Sequence, residues 1–175
     1  MVRLAAGLVL VFALIFSPCY AQAEDFWFSP LTAVAVGPAG PPSSLVVAPH
    51  SSPSTALVVK ATEVVTDLDF QWVNIGLVAP AGKSITGLTV CYDVDTVQPG
   101  ATYISQVRLT RMTLPSVAGV IIDYPTDLTS TVPVCKAYAF RTPPPITGTI
   151  TLALKMVVGN TADSIKIGGI RLTTN

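Results

Sequence analysis

The run Ile150, Leu152, Leu154, Met156 and Val158 places an apolar side chain at every second position, with Thr151, Ala153, Lys155 and Val157 between them. Side chains spaced by two share one face of an extended strand, whereas on a helix they would be spread around the axis. Shorter runs of the same texture fill the chain from residue 56. They are "ALVVKATEVV" (56–65), "DFQWVNIGLV" (69–78), "SITGLTVCYDV" (84–94), "TYISQVRLTRM" (102–112), "GVIID" (119–123), "VPVCKAYAF" (132–140) and "SIKIGGIRLT" (164–173). No stretch after Thr55 keeps a helical period over three turns. A strand with one apolar face must bury it against a second layer. The pattern therefore predicts an all-β fold, a two-sheet antiparallel β-sandwich of jelly-roll or Greek-key type with about eight or nine strands. A closed barrel would satisfy the same alternation, but the long, uneven connections "PTDLTST" and "RTPPPITG" favour the sandwich.

Within that frame, the strand over 150–158 is expected to form a hairpin with the strand beginning at Ile165 and Ile167, joined by "GNTAD" (159–163). Gly168-Gly169 then marks a bulge that would re-aim Ile170 and Leu172 onto the core face. In "SITGLTVCYDV", Leu88, Val90, Tyr92 and Val94 share one face, and Thr89, Cys91 and Asp93 the other. Trp72 alternates with Phe70 and Asn74, a face read as core.

The N-terminus has a different texture. Arg3 precedes the apolar run Leu4 to Phe16, followed by Pro18 and the small residues Ala21 and Ala23. This is the layout of a secretory signal, and the run is shorter than the roughly 20 residues a bilayer core requires. Residues 1–23 are read as a removed signal peptide, which places the protein outside the cytoplasm: secreted, periplasmic or in the cell envelope. Residues 24–55 carry Pro30, Pro38, Pro41, Pro42, Pro49 and Pro53, which exclude helix and leave edge strands or an extended arm. The division is thus an arm over 24–55 and a β-sandwich domain over 56–175.

Once Cys19 leaves with the signal, Cys91 and Cys135 remain, and two cysteines in an exported chain are expected to form one disulfide. That bridge requires strands 84–94 and 132–140 to be neighbours, or to face each other across the sandwich.

Chemistry-bearing motifs are few. Cys91, Asp93 and Asp95 point to one side of a strand, and Asp67 and Asp69 have the same spacing. Calcium needs about six to eight oxygens, and nothing matches its loop pattern. Zinc finds too few ligands beside one histidine and an oxidised cysteine pair. His50, the single histidine, sits in the Pro/Ser-rich arm, a poor platform for a triad. There is no G-x-S-x-G, no phosphate-binding glycine loop and no C-x-x-C. No catalytic residue, metal or cofactor is therefore expected. Ten basic and ten acidic residues balance, with only 11% of the chain charged, so no nucleic-acid footprint is present. No second apolar run is long enough to span a membrane.

Two roles follow for such a chain. The first is a structural or protein-interaction role in the envelope or extracellular space, including self-association if the arm donates a strand to a neighbour's sheet edge. The alternative is a secreted carbohydrate- or ligand-binding module. For that role the candidate contacts are Trp27, Trp72, Tyr92 and Tyr138, with Asp93 and Asp95 as polar partners, because Trp and Tyr pair an apolar ring with a polar edge.

Overall fold

The computed structural model describes residues 22–38, 43–51, 56–114 and 117–175. Most of the expected signal peptide lies outside these residues. Eleven strands are present among them: β1 Glu24–Phe28, β2 Val34–Val36, β3 Leu45–Pro49, β4 Leu57–Ala61, β5 Trp72–Leu77, β6 Ile85–Asp95, β7 Tyr103–Leu114, β8 Val117–Tyr124, β9 Val134–Ala139, β10 Thr149–Val157 and β11 Ser164–Thr174. The described helical structure is two short 3₁₀ turns, Pro30–Thr32 and Asp67–Asp69.

The strands form two antiparallel sheets. One has the order β3-β4-β11-β6-β9, with β1 also paired to β11; the other has the order β2-β5-β10-β7-β8. From β4 to β7 the chain changes sheet at every step. It stays in the five-stranded sheet through the β7–β8 hairpin, then alternates again to β11. The fold is the all-β, two-sheet sandwich that the alternation predicts. The additional strands are the short ones in the Pro-rich segment, where proline masks the period. There β2 and β3 lie at the sheet edges, and β3 ends at Pro49 where a missing N–H costs the ladder little.

The described part of 24–55 is therefore woven into both sheets. On one edge of β11, β4 pairs with Ile165–Ile167 and β1 with Ile170–Thr174. The Gly168-Gly169 bulge falls between them, where the register against β6 shifts. Its effect is the expected one: Ile165 and Ile167 before it, and Ile170 and Leu172 after it, are all fully buried. A regular strand would have turned the second pair to solvent.

The core forms where the inner faces meet. Ile150, Leu152, Leu154, Met156 and Val158 pack against Leu88, Val90 and Val94 of β6 and their β11 neighbours in one apolar cluster. Burying each such side chain contributes about 1.5–3 kcal/mol, and this term holds the layers together.

Two expectations are corrected. First, β10 and β11 do not form a hairpin, for they belong to opposite sheets. Alternation reveals which side of a strand is apolar but not which layer the strand joins. The six residues between β10 and β11 can reach about 20 Å, enough to cross the roughly 10 Å between sheets. Second, Trp72 does not face the core. On β5 the buried residues are Val73, Ile75 and Leu77, which turns Trp72, Asn74 and Gly76 outward. Phe70, two residues upstream, is outward as well at 51% exposure, and the buried residue between the two rings is Gln71.

The disulfide is present. Cys91 of β6 lies directly opposite Cys135 of β9, with Cα atoms 3.9 Å apart. Where 141–148 leads into β10, Gly148 has φ +80°, and a Cβ there would strike the Met112 carbonyl. Gly148→Ala is expected to cost more than about 1 kcal/mol, since strain and collision act together. A melting temperature equal to that of the parent protein would refute this.

Candidate functional site

The outer face of the five-stranded sheet is assembled by register. β5, β10 and β7 run side by side, so Trp72 lies opposite Lys155, Asn74 opposite Ala153 and Gly76 opposite Thr151. One strand further, Lys155 meets Gln106, Ala153 meets Arg108 and Thr151 meets Thr110. On β8, Asp123 pairs with Arg108. Small residues in the middle and larger ones on either side leave a shallow groove of about 320 Å³, lined by Trp72, Asn74, Arg108, Thr110, Thr151 and Ala153, among others.

Its polar groups are held in place. The Arg108 guanidinium sits 4.9 Å from the centre of the Trp72 ring. It donates to Asp123 through Nε at 3.3 Å and Nη2 at 2.9 Å. Gln106 also donates to Asp123. Burial pushes the Asp123 carboxyl up, but the hydrogen bonds from Arg108 and Gln106 outweigh it and hold the group below the usual range. Asp123 is thus an ionised acceptor at neutral pH. At the end of the groove Lys155, only 7% exposed in its side chain, pairs with Asp67 at 3.0 Å and lies 4.5 Å from the Phe70 ring centre. The nearby Ser105 hydroxyl and the Lys155 ammonium hold the Asp67 carboxyl below the usual range. A fixed aromatic ring flanked by amide, hydroxyl and guanidinium groups can stack on an apolar ring face and hydrogen-bond a hydroxylated ligand.

The six residues expected at a ligand site are not brought together. Trp72 lies in the groove. Trp27 stands on the outer face of the other sheet, 60% exposed. Tyr92 and Tyr138 turn inward at 7% and 8% exposure. Tyr138 stacks on Tyr124 across the two layers, ring centres 4.6 Å apart, and burial pushes its hydroxyl up to about 12. Asp93 is paired with Lys166 at 2.9 Å, and Asp95 is exposed at the end of β6. Sequence reasoning did not single out Asn74, Gln106, Arg108 or Asp123. The alternation of "YISQVRLTRM" sets Gln106, Arg108 and Thr110 on one polar face, but nothing in it names Trp72 as their neighbour.

Among the described residues, no group of three or more His, Cys, Asp or Glu side chains could hold a metal, and no helix is long and apolar enough to cross a membrane.

No family model and no curated protein sequence matches the chain. Solved structures do share its architecture. A CBM4 structure, a carbohydrate-binding module, superposes with a TM-score of 0.54 at 10% identity, covering 84% of this chain and 89% of that one. The CBM22-1–GH10 modules of a Clostridium thermocellum endo-1,4-beta-D-xylanase 10B, complexed with xylohexaose, superpose at 0.52 and 10% identity, covering 87% of this chain and 28% of that chain. The class defined is a β-sandwich with the fold of carbohydrate-binding modules.

Proposed function

We propose that this protein is an exported, non-catalytic glycan-binding domain that holds a hydroxylated oligosaccharide in the groove on its five-stranded sheet. The observation that carries this reading is the outward-facing Trp72, fixed beside Arg108 over a floor of small residues. The indole stacks on a sugar ring, while Asn74, Thr110, Thr151 and Arg108 supply hydrogen bonds to its hydroxyls. The fold it shares with carbohydrate-binding modules supports the reading. Export is supported by the signal-like N-terminus and by a disulfide, which persists in oxidising compartments.

Trp72→Ala is expected to weaken oligosaccharide binding at least about tenfold, the equivalent of 1.4 kcal/mol, by removing the stacking surface. Its melting temperature should change little, because the ring lies outside the core. Titration calorimetry with xylohexaose and other neutral β-linked oligosaccharides measures it. If the parent protein binds none of them, or Trp72→Ala binds equally well, the reading fails.

A second reading, a structural or protein-interaction role, has its own observation. The β7–β8 hairpin exposes Met112, Leu114, Val117 and Val120, each at least 45% exposed. An assembly built on that hairpin predicts oligomers by light scattering that Leu114→Lys dissolves; a monomer at all concentrations removes self-association.

A further inference from the structure

We propose that the outer face of the six-stranded sheet is a second glycan-binding surface, suited to a sugar that carries a carboxylate, so that the protein is bivalent. The inference extends the class of ligand read for the groove but shares no residue with it.

The surface has two adjoining parts. The first is a basin of about 430 Å³ on the outward side of β3, β4 and β11. Its floor is apolar, with Val46, Ala48 and Val58, and His50, Lys60 and Lys166 stand around it. No carboxylate lines the basin among the described residues. Lys166 is paired with Asp93 on β6, outside that lining, while Lys60 forms none of the described ion pairs. A ligand entering the basin meets an apolar floor and, among the described residues, an ammonium group without an ion-pair partner. A pyranose carboxylate matches both, with its ring face on the valines and its charge beside Lys60.

The second part is Trp27, on β1 beside β11. Its indole lies over Gly169, where an added Cβ would approach the ring carbons to 3.0 Å, so the glycine of the bulge makes room for it. The Arg171 guanidinium is 5.5 Å from the ring centre and is fixed by Asp25 at 3.0 Å and Thr89 at 3.2 Å. Thr173 donates to the same Asp25 at 2.7 Å. The ring rests on the glycine backbone beside Arg171 yet remains 60% exposed, a placement that fits a stacking platform.

β11 carries residues of both parts. Lys166, which stands at the basin, and Arg171, which braces Trp27, are about 16 Å apart along β11. Gly168 and Gly169, which carry no side chains, lie between them. A chain of several sugar rings can therefore lie along β11 with one ring on Trp27 and a carboxylate at Lys60. Trp72 faces the opposite direction from the other sheet, so one oligosaccharide does not reach both surfaces. A polymer offered to the protein would be cross-bridged, with the gain in avidity that two linked sites provide.

Calorimetry on the full chain with a galacturonic acid hexamer and with xylohexaose tests this. Lys60→Gln is expected to weaken galacturonate binding about fivefold, the scale of one exposed ion pair, and added salt should weaken it further. Trp27→Ala should weaken it about tenfold or more by loss of stacking. Trp72→Ala should leave it unchanged while losing xylohexaose. Lys60 is exposed, so its variant reports on binding even if Trp27→Ala were to fold poorly. Absent galacturonate binding, or binding untouched by Lys60→Gln, overturns the inference. A sulfated hexasaccharide bound as tightly as the galacturonate overturns it too, since general charge attraction would then suffice. If Trp72→Ala loses both ligands there is one site: the groove reading stands and this one falls. If xylohexaose does not bind but galacturonate binds with dependence on Lys60 and Trp27, the outcome is reversed.

Discussion

Replacing Cys91 and Cys135 together by Ser is expected to destabilise the protein by about 4 kcal/mol, lowering the melting temperature by roughly 10 °C. The two cysteines are 44 residues apart in sequence, and a bridge over a loop of that length removes a large part of the unfolded chain's freedom. The folded state gives the loss a location. β9 is an edge strand paired only with β6, and Tyr138 is its single buried side chain. Little apolar burial holds it, so without the covalent tie it is the first strand to open. Amide exchange should accelerate along β9 far more than along β10, which is central in its sheet and buried over most of its length. Thiol titration of the unfolded, unreduced parent protein is the companion measurement. Free groups at both positions, or an unchanged melting temperature in the double variant, would contradict the expectation.

Asp163→Ala is expected to cost about 3 kcal/mol, because a buried carboxylate that satisfies several donors leaves them unpaired when it is removed. Asp163 is 1% exposed and accepts from Thr96 Oγ1 at 2.9 Å, from the Val97 amide at 2.9 Å and from Thr102 Oγ1 at 2.5 Å. Thr102 in turn accepts from the Gly159 amide at 3.0 Å. One side chain thus ties the β6–β7 loop to the connection that carries the chain from β10 across to β11.

The same site sets a pH dependence. Burial pushes the Asp163 carboxyl up, but the hydrogen bonds from Thr102, the Val97 amide and Thr96 outweigh it and hold the group below the usual range. A carboxyl lowered in the folded state binds protons more weakly there than in the unfolded chain. Its stabilising effect is therefore complete above the unfolded value near 4 and is lost as pH falls through the folded one. Thermal melts from pH 6 downward should show stability falling below about pH 4. Asp163→Asn should start less stable and flatten that acid limb; a limb parallel to the parent's would show that the dependence arises elsewhere.

How much could be read in advance differs by residue. The inward faces of β6, β10 and β11 were legible because strict alternation over many residues admits one burial solution. The Gly168-Gly169 bulge was legible as well, since the apolar phase changes there. The pairing of Cys91 with Cys135 needed only two cysteines and an oxidising compartment. Trp72 was misread because two aromatic rings at the same parity, Phe70 and Trp72, suggested a core face, whereas both turn outward and the buried face carries Gln71, Val73, Ile75 and Leu77. The β10–β11 hairpin was misread because a short connection suits a sheet-crossing as well as a tight return. The groove was not legible at all: Asn74, Arg108 and Asp123 come from three strands, and only register places them in neighbouring positions.

The amino-acid sequence by itself determined that this chain is built from strands, which side of most of them is buried, and which two cysteines can join. These follow from local periodicity and residue chemistry, which act between near neighbours in the chain. Only the tertiary structure decided which layer each strand entered and which outward side chains became neighbours. That choice depends on packing between segments far apart in sequence, and it set Trp27 and Trp72 on opposite surfaces.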